Sequence, residues 1–394
     1  MTMKYWKVTL ACYTPVFIGS GDTYKKSQYL YDKNEKKVCF LQEEKWISFL
    51  GKHDILDDFA RELLRNPSHF NLYAYLNNQP RLRRKYGNFA GIKSAMLTAG
   101  AIDIDREEDY LAVGGEDGRK GPNDIAGFIR DAEGSPYIPG SSLKGAFRTA
   151  ILSSVIRKNQ RQYSGDWQEL ERAAGNRNAM GRIMDNLERR LALALNEEGK
   201  REMVNSYFRG LTVSDAVLVD VVDGHLCVVP KTDLSIHADD THQVALYREA
   251  LATDSSLEFT LGIDDGPKGM GHFGIRTFKD LQRVLKEFVH FQYEILKKPF
   301  LENAKVELSD IENAKNADML LGGGTGFLSK TLVYSLAPDR ARAVYVTRKL
   351  MEASFRNGKH FRDKEISPHT LKLVDEDGDT RLMGCCWMRG KELC

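Results

Sequence analysis

The sequence predicts an α+β fold. Polar and apolar residues alternate in KYWKVTLACY (4–13), as on a strand with one buried face. Residues 43–65 carry helical spacing at Trp46, Phe49, Leu50, Leu56, Phe59 and Leu63. Beyond a long charged helical stretch, LTVSDAVLVD, HLCVVPKTDLSI and SSLEFTLGID read as strands. With 394 residues the chain outgrows one small core, so two domains or one elaborated domain is expected.

In order, the first strand is broken by Pro15, Gly19 and Gly21 in TPVFIGSGD. A hairpin is expected next, YLYD and KVCFL flanking the turn residues Asp32, Lys33 and Asn34. The helical region 43–65 follows. Residues 78–135 are rich in glycine and charge, with short apolar runs, and read as an extended, partly mobile insertion. A helix then starts near 140, and a charged helical stretch covers about 167–208. After the three strands, residues 276–315 read as a long helix that Pro299 should kink or restart. A basic helix carries Arg340, Arg342, Arg348 and Lys349, and RLMGCCWMR closes the chain as a last strand. No fixed-period repeat is present.

Composition excludes several classes. Hydrophobic residues make up 42% of the chain, too many for disorder. No apolar run reaches about 18 residues, so no membrane span and no membrane partner are expected. The N-terminus lacks a signal-peptide pattern. The six cysteines have no Cys-x-x-Cys or framework spacing, which argues against a disulfide scaffold or zinc site and for a reducing, cytoplasmic setting. A net charge of +2 means that any nucleic-acid surface must be local. One local candidate is QPRLRRKYGNFAGIK (79–93), which gathers Arg81, Arg83, Arg84, Lys85 and Lys93 around Tyr86 and Phe89. A solvated charged loop is the plainer reading of the same residues.

PYIPGSSLKGAFR (136–148) is the first distinctive motif. Pro139-Gly140 makes a turn, and Ser141 or Ser142 supplies a helix cap. Leu143, Phe147, Ile151 and Val155 form an apolar row, with Lys144 and Arg148 in a second row beside it. Gly145 costs roughly 1 kcal/mol against Ala in a helix, so close approach of a backbone or ligand is expected there. Free amides, helix dipole and two cations can hold a phosphate. An ordinary capped helix with two exposed cations would look the same.

LLGGGTGFLSKTL (320–332) is the second, with Gly322, Gly323, Gly324 and Gly326 followed by Lys330 and Thr331. It approaches a Walker A loop, but Ser329 stands at the second glycine and no hydrophobic strand leads in. The better reading is a loop whose amides form an anion-holding nest, with Lys330 as point charge. A flexible turn is the alternative.

No catalytic constellation emerges. His53-Asp54 lacks further ligands, and GGED (114–117) lacks the flanking strands of a palm hairpin. Asp103 and Asp105 are two carboxylates without a third. Asp375, Asp377 and Asp379 resemble part of a calcium loop lacking its closing Glu. Cys385-Cys386 reads as core. No cofactor and no metal are expected.

Taken together, TPVFIGSGD, YIPGSSLKGAFRTAIL and LLGGGTGFLSKT, with LTVSDA and ALYREALATDSSLEFTLGI between them, resemble the RAMP superfamily of CRISPR proteins. Within it they are similar to the fifth subunit of type III-A Csm complexes. The resemblance runs from about residue 8 to 332, and the late glycine loop selects that subunit. It implies ferredoxin-like (RNA-recognition-type) βαββαβ modules with a helical insertion and a mostly helical C-terminal part. The domains implied are 1–265, with a thumb-like insertion at about 80–135 and a helical one at about 158–208, and 266–394, carrying the glycine-rich loop.

The resemblance also implies a non-catalytic, CRISPR RNA-binding subunit that caps the backbone filament at the guide's 3′ end. Implied partners are the RAMP backbone subunit, other Csm subunits and nucleases recruited to trim the guide. Its motifs place RNA contacts at Gly19, Ser20 and Gly21; at Gly140, Ser141, Ser142, Lys144, Gly145 and Arg148; and at Gly322, Gly323, Gly324, Gly326 and Lys330. Arg84 and Lys85 are added from the basic insertion, which could wedge between bases. Many relatives have His where this chain has Phe17, a departure that fits binding rather than cleavage. The competing expectation is an enzyme: a metal-dependent ribonuclease using Asp103 and Asp105, or a nucleotide hydrolase using Lys330 and Thr331.

Overall fold

A computed structural model describes residues 3–32, 35–65, 67, 70–110, 124–196, 199–219, 226–237, 241–302, 314–376 and 379–393. The first strand, β1 (Met3–Cys12), buries Trp6, Val8, Leu10 and Cys12 on one face, as its alternation requires. Its chain continues through β2 (Gly19–Tyr24) into the hairpin β3 (Tyr29–Asp32) and β4 (Lys37–Leu41). The turn residues Lys33 and Asn34 lie outside the described residues.

Five helices follow: α1 (Glu43–Lys52), α2 (Leu56–Arg65), α3 (Leu72–Asn78), α4 (Pro80–Tyr86) and α5 (Phe89–Thr98). With β3 and β4 they enclose a core of their own, including Leu30, Trp46, Phe49, Leu76, Leu82, Ile92 and Met96. Residues 80–98 are therefore helical rather than extended. Local chemistry explains this: Pro80 starts α4 where a helix has no use for its missing N–H, and the Asn88 side chain caps α5 by accepting from Gly91 N.

Next come β5 (Ile102–Tyr110), β6 (Ile125–Phe128) and β7 (Tyr137–Ile138), then the long helix α6 (Gly140–Lys158). The charged stretch divides into α7 (Ser164–Arg172), α8 (Arg177–Ala192) and a hairpin of β8 (Leu193–Leu195) and β9 (Arg201–Ser206). The helix expected to reach 208 thus ends at Ala192. Leu193 turns to extended backbone, and Gly199, with φ of 75°, lets the chain reverse.

β10 (Leu211–Val213) and β11 (Ala216–Leu218) are separated by a bend at Ser214-Asp215. They are followed by β12 (Leu226–Ser235), β13 (Thr241–Leu251) and β14 (Ser256–Asp264). Pro230 cannot donate to a ladder, and the β12–β13 register shifts between Pro230 and Lys231. Helix α9 (Phe278–Leu296) opens with a Thr277–Asp280 capping box and closes just before a π-helical turn, Lys297–Glu302, which contains Pro299. The remaining elements are β15 (Met319–Leu320), a short helical turn at Val333–Leu336, α10 (Arg340–Ser354), β16 (Thr370–Glu376), β17 (Asp379–Leu382) and β18 (Cys385–Leu393).

One sheet runs β15-β18-β1-β14-β11-β7, with β10 also on β14, and every pairing is antiparallel. Helix α6 lies between β1 and β11 in the chain, α9 between β14 and β18, and the two helices pack together in the main core. The second sheet runs β2-β6-β13-β12-β5-β4-β3, with β16 and β17 joined to β12. The boundary expected at 265/266 is crossed by both sheets: β18 pairs with β1, and β16 with β12.

The start of α6 is packed tightly. A Cβ on Gly140 would stand 2.3 Å from the Val213 carbonyl oxygen, whereas a Cβ on Gly145 would meet nothing within 4 Å. Gly140→Ala should therefore cost roughly 1–3 kcal/mol. Gly145→Ala should be neutral or stabilise by up to about 1 kcal/mol. Denaturant midpoints of the two variants check this, and equal midpoints would contradict the close packing at residue 140.

Candidate nucleic-acid interface

The three motif segments meet. An open groove of about 440 Å³ is lined by Phe17, Ile18 and Gly19 from the first, by Ser142, Gly145, Ala146 and Thr149 from the second, and by residues of 320–330 from the third. On α6 the groove residues follow spacing i, i+3, i+4, i+7, which is one helical face. That face holds only small side chains. The large ones, Leu143, Phe147 and Ile151, point into the core. Gly145 leaves open space in the groove, so the close neighbour expected there is not supplied by the chain itself.

The glycine loop is built against the first motif. Gly323 N donates to Phe17 O at 2.7 Å, and the two residues form an isolated antiparallel bridge. Gly322 has φ of 89°, and a Cβ on it would lie 2.3 Å from Phe17 O, so no other residue fits. Two hydroxyls stiffen the turn. Thr325 Oγ1 donates to Gly322 O at 3.0 Å, and Ser329 Oγ donates to Gly326 O at 3.0 Å. The loop is thus pinned, which sets aside the flexible-turn alternative. Ser329, standing where a Walker loop has glycine, acts as an internal tie.

Two cations flank the loop. Lys330 lines the groove and makes no ion pair among the described residues. Burial, and then the nearby Arg248 guanidinium, lower its pKa. Arg248 lies on β13 with its guanidinium 5.5 Å from the Phe17 ring centre, and burial lowers its pKa too. A Cβ on Gly324 would come within 2.8 Å of Arg248 Nη1. Sequence reasoning missed Arg248. The available signal was a charged pair, Arg248-Glu249, inside the otherwise apolar run VALYREAL (244–251).

Other sequence candidates lie elsewhere. Gly140 N donates to Asp215 Oδ1 at 2.7 Å, so the anion at the start of α6 comes from within the chain. The cap is Pro139, with no side-chain cap from Ser141 or Ser142. Lys144 Nζ donates to Leu211 O at 2.6 Å, and burial lowers its pKa. Arg148 pairs with Glu188 at 3.2 Å and lies over the Phe208 ring. Both cations were expected to face an anion, but helix rotation turns them off the groove face. Ser20 Oγ donates to Gly127 O at 3.3 Å and accepts from Asp22 N, and Gly21 has φ of 97°.

In the basic segment, Arg83, Arg84 and Lys85 are exposed on α4. Arg81 pairs with Asp54 at 2.5 Å, and Lys93 is buried against Asp32 at 3.0 Å and Glu35 at 2.5 Å. The aromatics are engaged as well. The Tyr86 hydroxyl bonds His53 Nε2 at 2.7 Å, and Phe89 packs on Tyr73 at 4.3 Å between ring centres. His53 and Asp54 are thereby absorbed into structure. Asp103 is half-exposed on β5; the Asp105, Asp375 and Asp379 side chains, Asp377 and GGED lie outside the described residues. Cys385 and Cys386 are fully buried in β18. Among the described residues one further group of ligating side chains gathers: His237, Asp363 and His369. No helix of the described residues is long and apolar enough to cross a membrane.

Comparison with known proteins places the chain in a family. The chain is 25% identical to the Csm5 protein of Enterococcus italicus over 97% of its own length and 95% of the relative's. It is 26% identical to that of Mycobacterium tuberculosis over 98% and 97%. It resembles in fold a chain of a type III-A Csm-crRNA-target RNA ternary complex solved by cryo-EM, with a TM-score of 0.61 and 20% identity over 98% of this chain and 100% of that one. The crystal structure of T. onnurineus Csm5 gives a TM-score of 0.55 at 18% identity, covering 96% and 99%. The RAMP superfamily profile matches residues 9–329, a span that takes in the groove lining up to Ser329, and the chain belongs to that superfamily.

Proposed function

We propose that the chain is the Csm5-type subunit of a type III-A Csm effector complex, and that its groove grips the sugar-phosphate backbone of CRISPR RNA without cleaving it. One observation carries this reading: three motif segments, more than 100 residues apart in sequence, build a single groove of glycines, serines and small side chains beside Lys330 and Arg248. Small residues let a strand approach, and two like charges held near each other are relieved when a phosphate arrives. Phe17, rather than a histidine, lines the floor, in keeping with binding.

The sheet order β18-β1-β14-β11, with α6 and α9 as its crossings, supports one ferredoxin-like βαββαβ module. We assign the chain to the 3′ end of the guide, where it caps the backbone filament beside the RAMP backbone subunit and supports trimming by recruited nucleases. The exposed cations Arg84 and Lys85, on α4 of the thumb-like insertion, form a second, separate contact.

Gly145→Leu should keep the parent's stability and weaken guide RNA binding about tenfold or more, because the added side chain fills the groove. Electrophoretic mobility shift beside a melting curve reads both, and undiminished affinity would refute the groove. Lys330→Ala should lower the slope of log affinity against log salt by about one. Since burial and Arg248 depress its pKa, phosphate affinity should fall with rising pH before the ordinary lysine value of about 10.4, and Lys330→Arg should abolish that fall. Arg84→Ala with Lys85→Ala should leave the melting point unchanged and lower the salt slope by up to about two. Guide RNA incubated with Mg²⁺ should stay intact; cleavage lost on Asp103→Ala would establish the ribonuclease instead.

A further inference from the structure

Three of the chain's nine histidines converge on one carboxylate far from the glycine motifs in sequence. Asp363 is fully buried at the end of a 3₁₀ turn, His360–Arg362. Its Oδ1 lies 2.7 Å from His369 Nδ1 and 3.7 Å from His237 Nε2. One ligating atom from each of His237, Asp363 and His369 falls within 4.8 Å of the others. The other carboxylate oxygen, Oδ2, is already occupied: His360 Nδ1 stands 3.0 Å away, and Ser367 Oγ donates to it at 2.7 Å. That division matters. Oδ2 is held by orienting partners, and Oδ1 is presented towards two imidazoles.

We propose that His237, His369 and Asp363 form a binding site for a divalent transition metal, zinc above all, with a fourth position open to water beside His237. Two imidazoles and a carboxylate are a zinc-type donor set, and three protein ligands leave one position free. Bonds of about 2.1 Å around a tetrahedral ion set the ligands roughly 3.4 Å apart. Shifts of about an ångström in the two rings complete the set. A metal takes His369 Nδ1 only without its proton, so in the neutral ring the N–H moves to Nε2, and in the doubly protonated ring one proton is released to solvent.

The backbone holds the ligands ready. Ile236 N donates to His369 O at 3.0 Å, which keeps the end of β12 against the start of β16. The Tyr334 hydroxyl donates to Ser367 O at 2.7 Å and accepts from Ser367 N at 3.2 Å, fixing the orienting serine. His237 is exposed, which gives an ion a way in. A bound ion would clasp three segments: the end of β12, the turn after α10 and the start of β16.

The test uses tag-free, full-length chain, stripped with chelator and then given zinc. The parent should retain about one zinc per chain after desalting. Its melting temperature should rise by on the order of 5 °C with zinc a hundredfold above Kd. Cobalt in place of zinc should give the visible absorption of a tetrahedral site. His237→Ala, at an exposed position, and His369→Ala should lose zinc retention and the thermal shift. His290→Ala, on the exposed face of α9, should keep both. Zinc that leaves the melting temperature unmoved, or that binds His237→Ala as well as the parent, overturns the site and leaves a hydrogen-bonded network alone.

Discussion

The ladder between β1 and β18 is the interaction on which the groove depends. It joins the two ends of the chain, pairing Tyr5 through Cys12 with Leu393 through Cys386. At its end the strands hand over to a small set of backbone bonds. Tyr13 N donates to Cys385 O at 2.8 Å, Gly384 N to Pro15 O at 2.9 Å, and Leu321 N to Gly384 O at 2.8 Å. Through Gly384 the first and third motifs are brought side by side, and Gly323 then meets Phe17 directly. Loss of the last strand would remove the pairing that seats Gly384 against Pro15 and Leu321, leaving the glycine loop held to the first motif by the Gly323–Phe17 bridge.

Helix α6 shows how one element serves core and surface at once. Its large residues secure it in the main core, and burying each such side chain contributes about 1.5–3 kcal/mol. Its groove face carries only Ser142, Gly145, Ala146 and Thr149. The same rotation that turns these outward sends Lys144 to the Leu211 carbonyl and Arg148 to Glu188. Those cations fasten the helix to neighbouring segments. Asp215 does the same at its start, satisfying an amide that would otherwise be free.

The electrostatics of the groove are local. The chain's net charge of +2 supplies no broad field, so attraction must come from groups at the site itself. The cations at the groove are Lys330 and Arg248, both partly desolvated; Arg248 lowers the Lys330 pKa, while Asp233 acts on Arg248 in the opposite direction to its burial. The buried Glu249 beside Arg248 in sequence is committed elsewhere, accepting from Phe128 N at 2.7 Å and pairing with Arg130. Its charge therefore serves β6 and the following turn.

The sequence by itself marked β1, the β3–β4 hairpin, β10 to β12, β14 and β18, the helices α1, α2, α6, α9 and α10, and the three motif segments, but not β13 or β16, which pair with β12, nor the helices α3 to α5. Alternation in β1, helical spacing in α1, α2, α6 and α10, and the capping residues are local signals, and they report burial along one element. The same locality limits them. Helical phase around Lys144 and Arg148 was visible, but the carbonyl and carboxylate that meet them were not. Residues 80–98 were legible as glycine-rich and charged, yet Pro80 and Asn88 start two helices against a second core. Only the tertiary structure decided that the motifs share one groove, that Arg248 stands beside Lys330, and that His237, Asp363 and His369 meet. Each of these depends on pairings between segments distant along the chain, and periodicity within one segment carries no information about its partner.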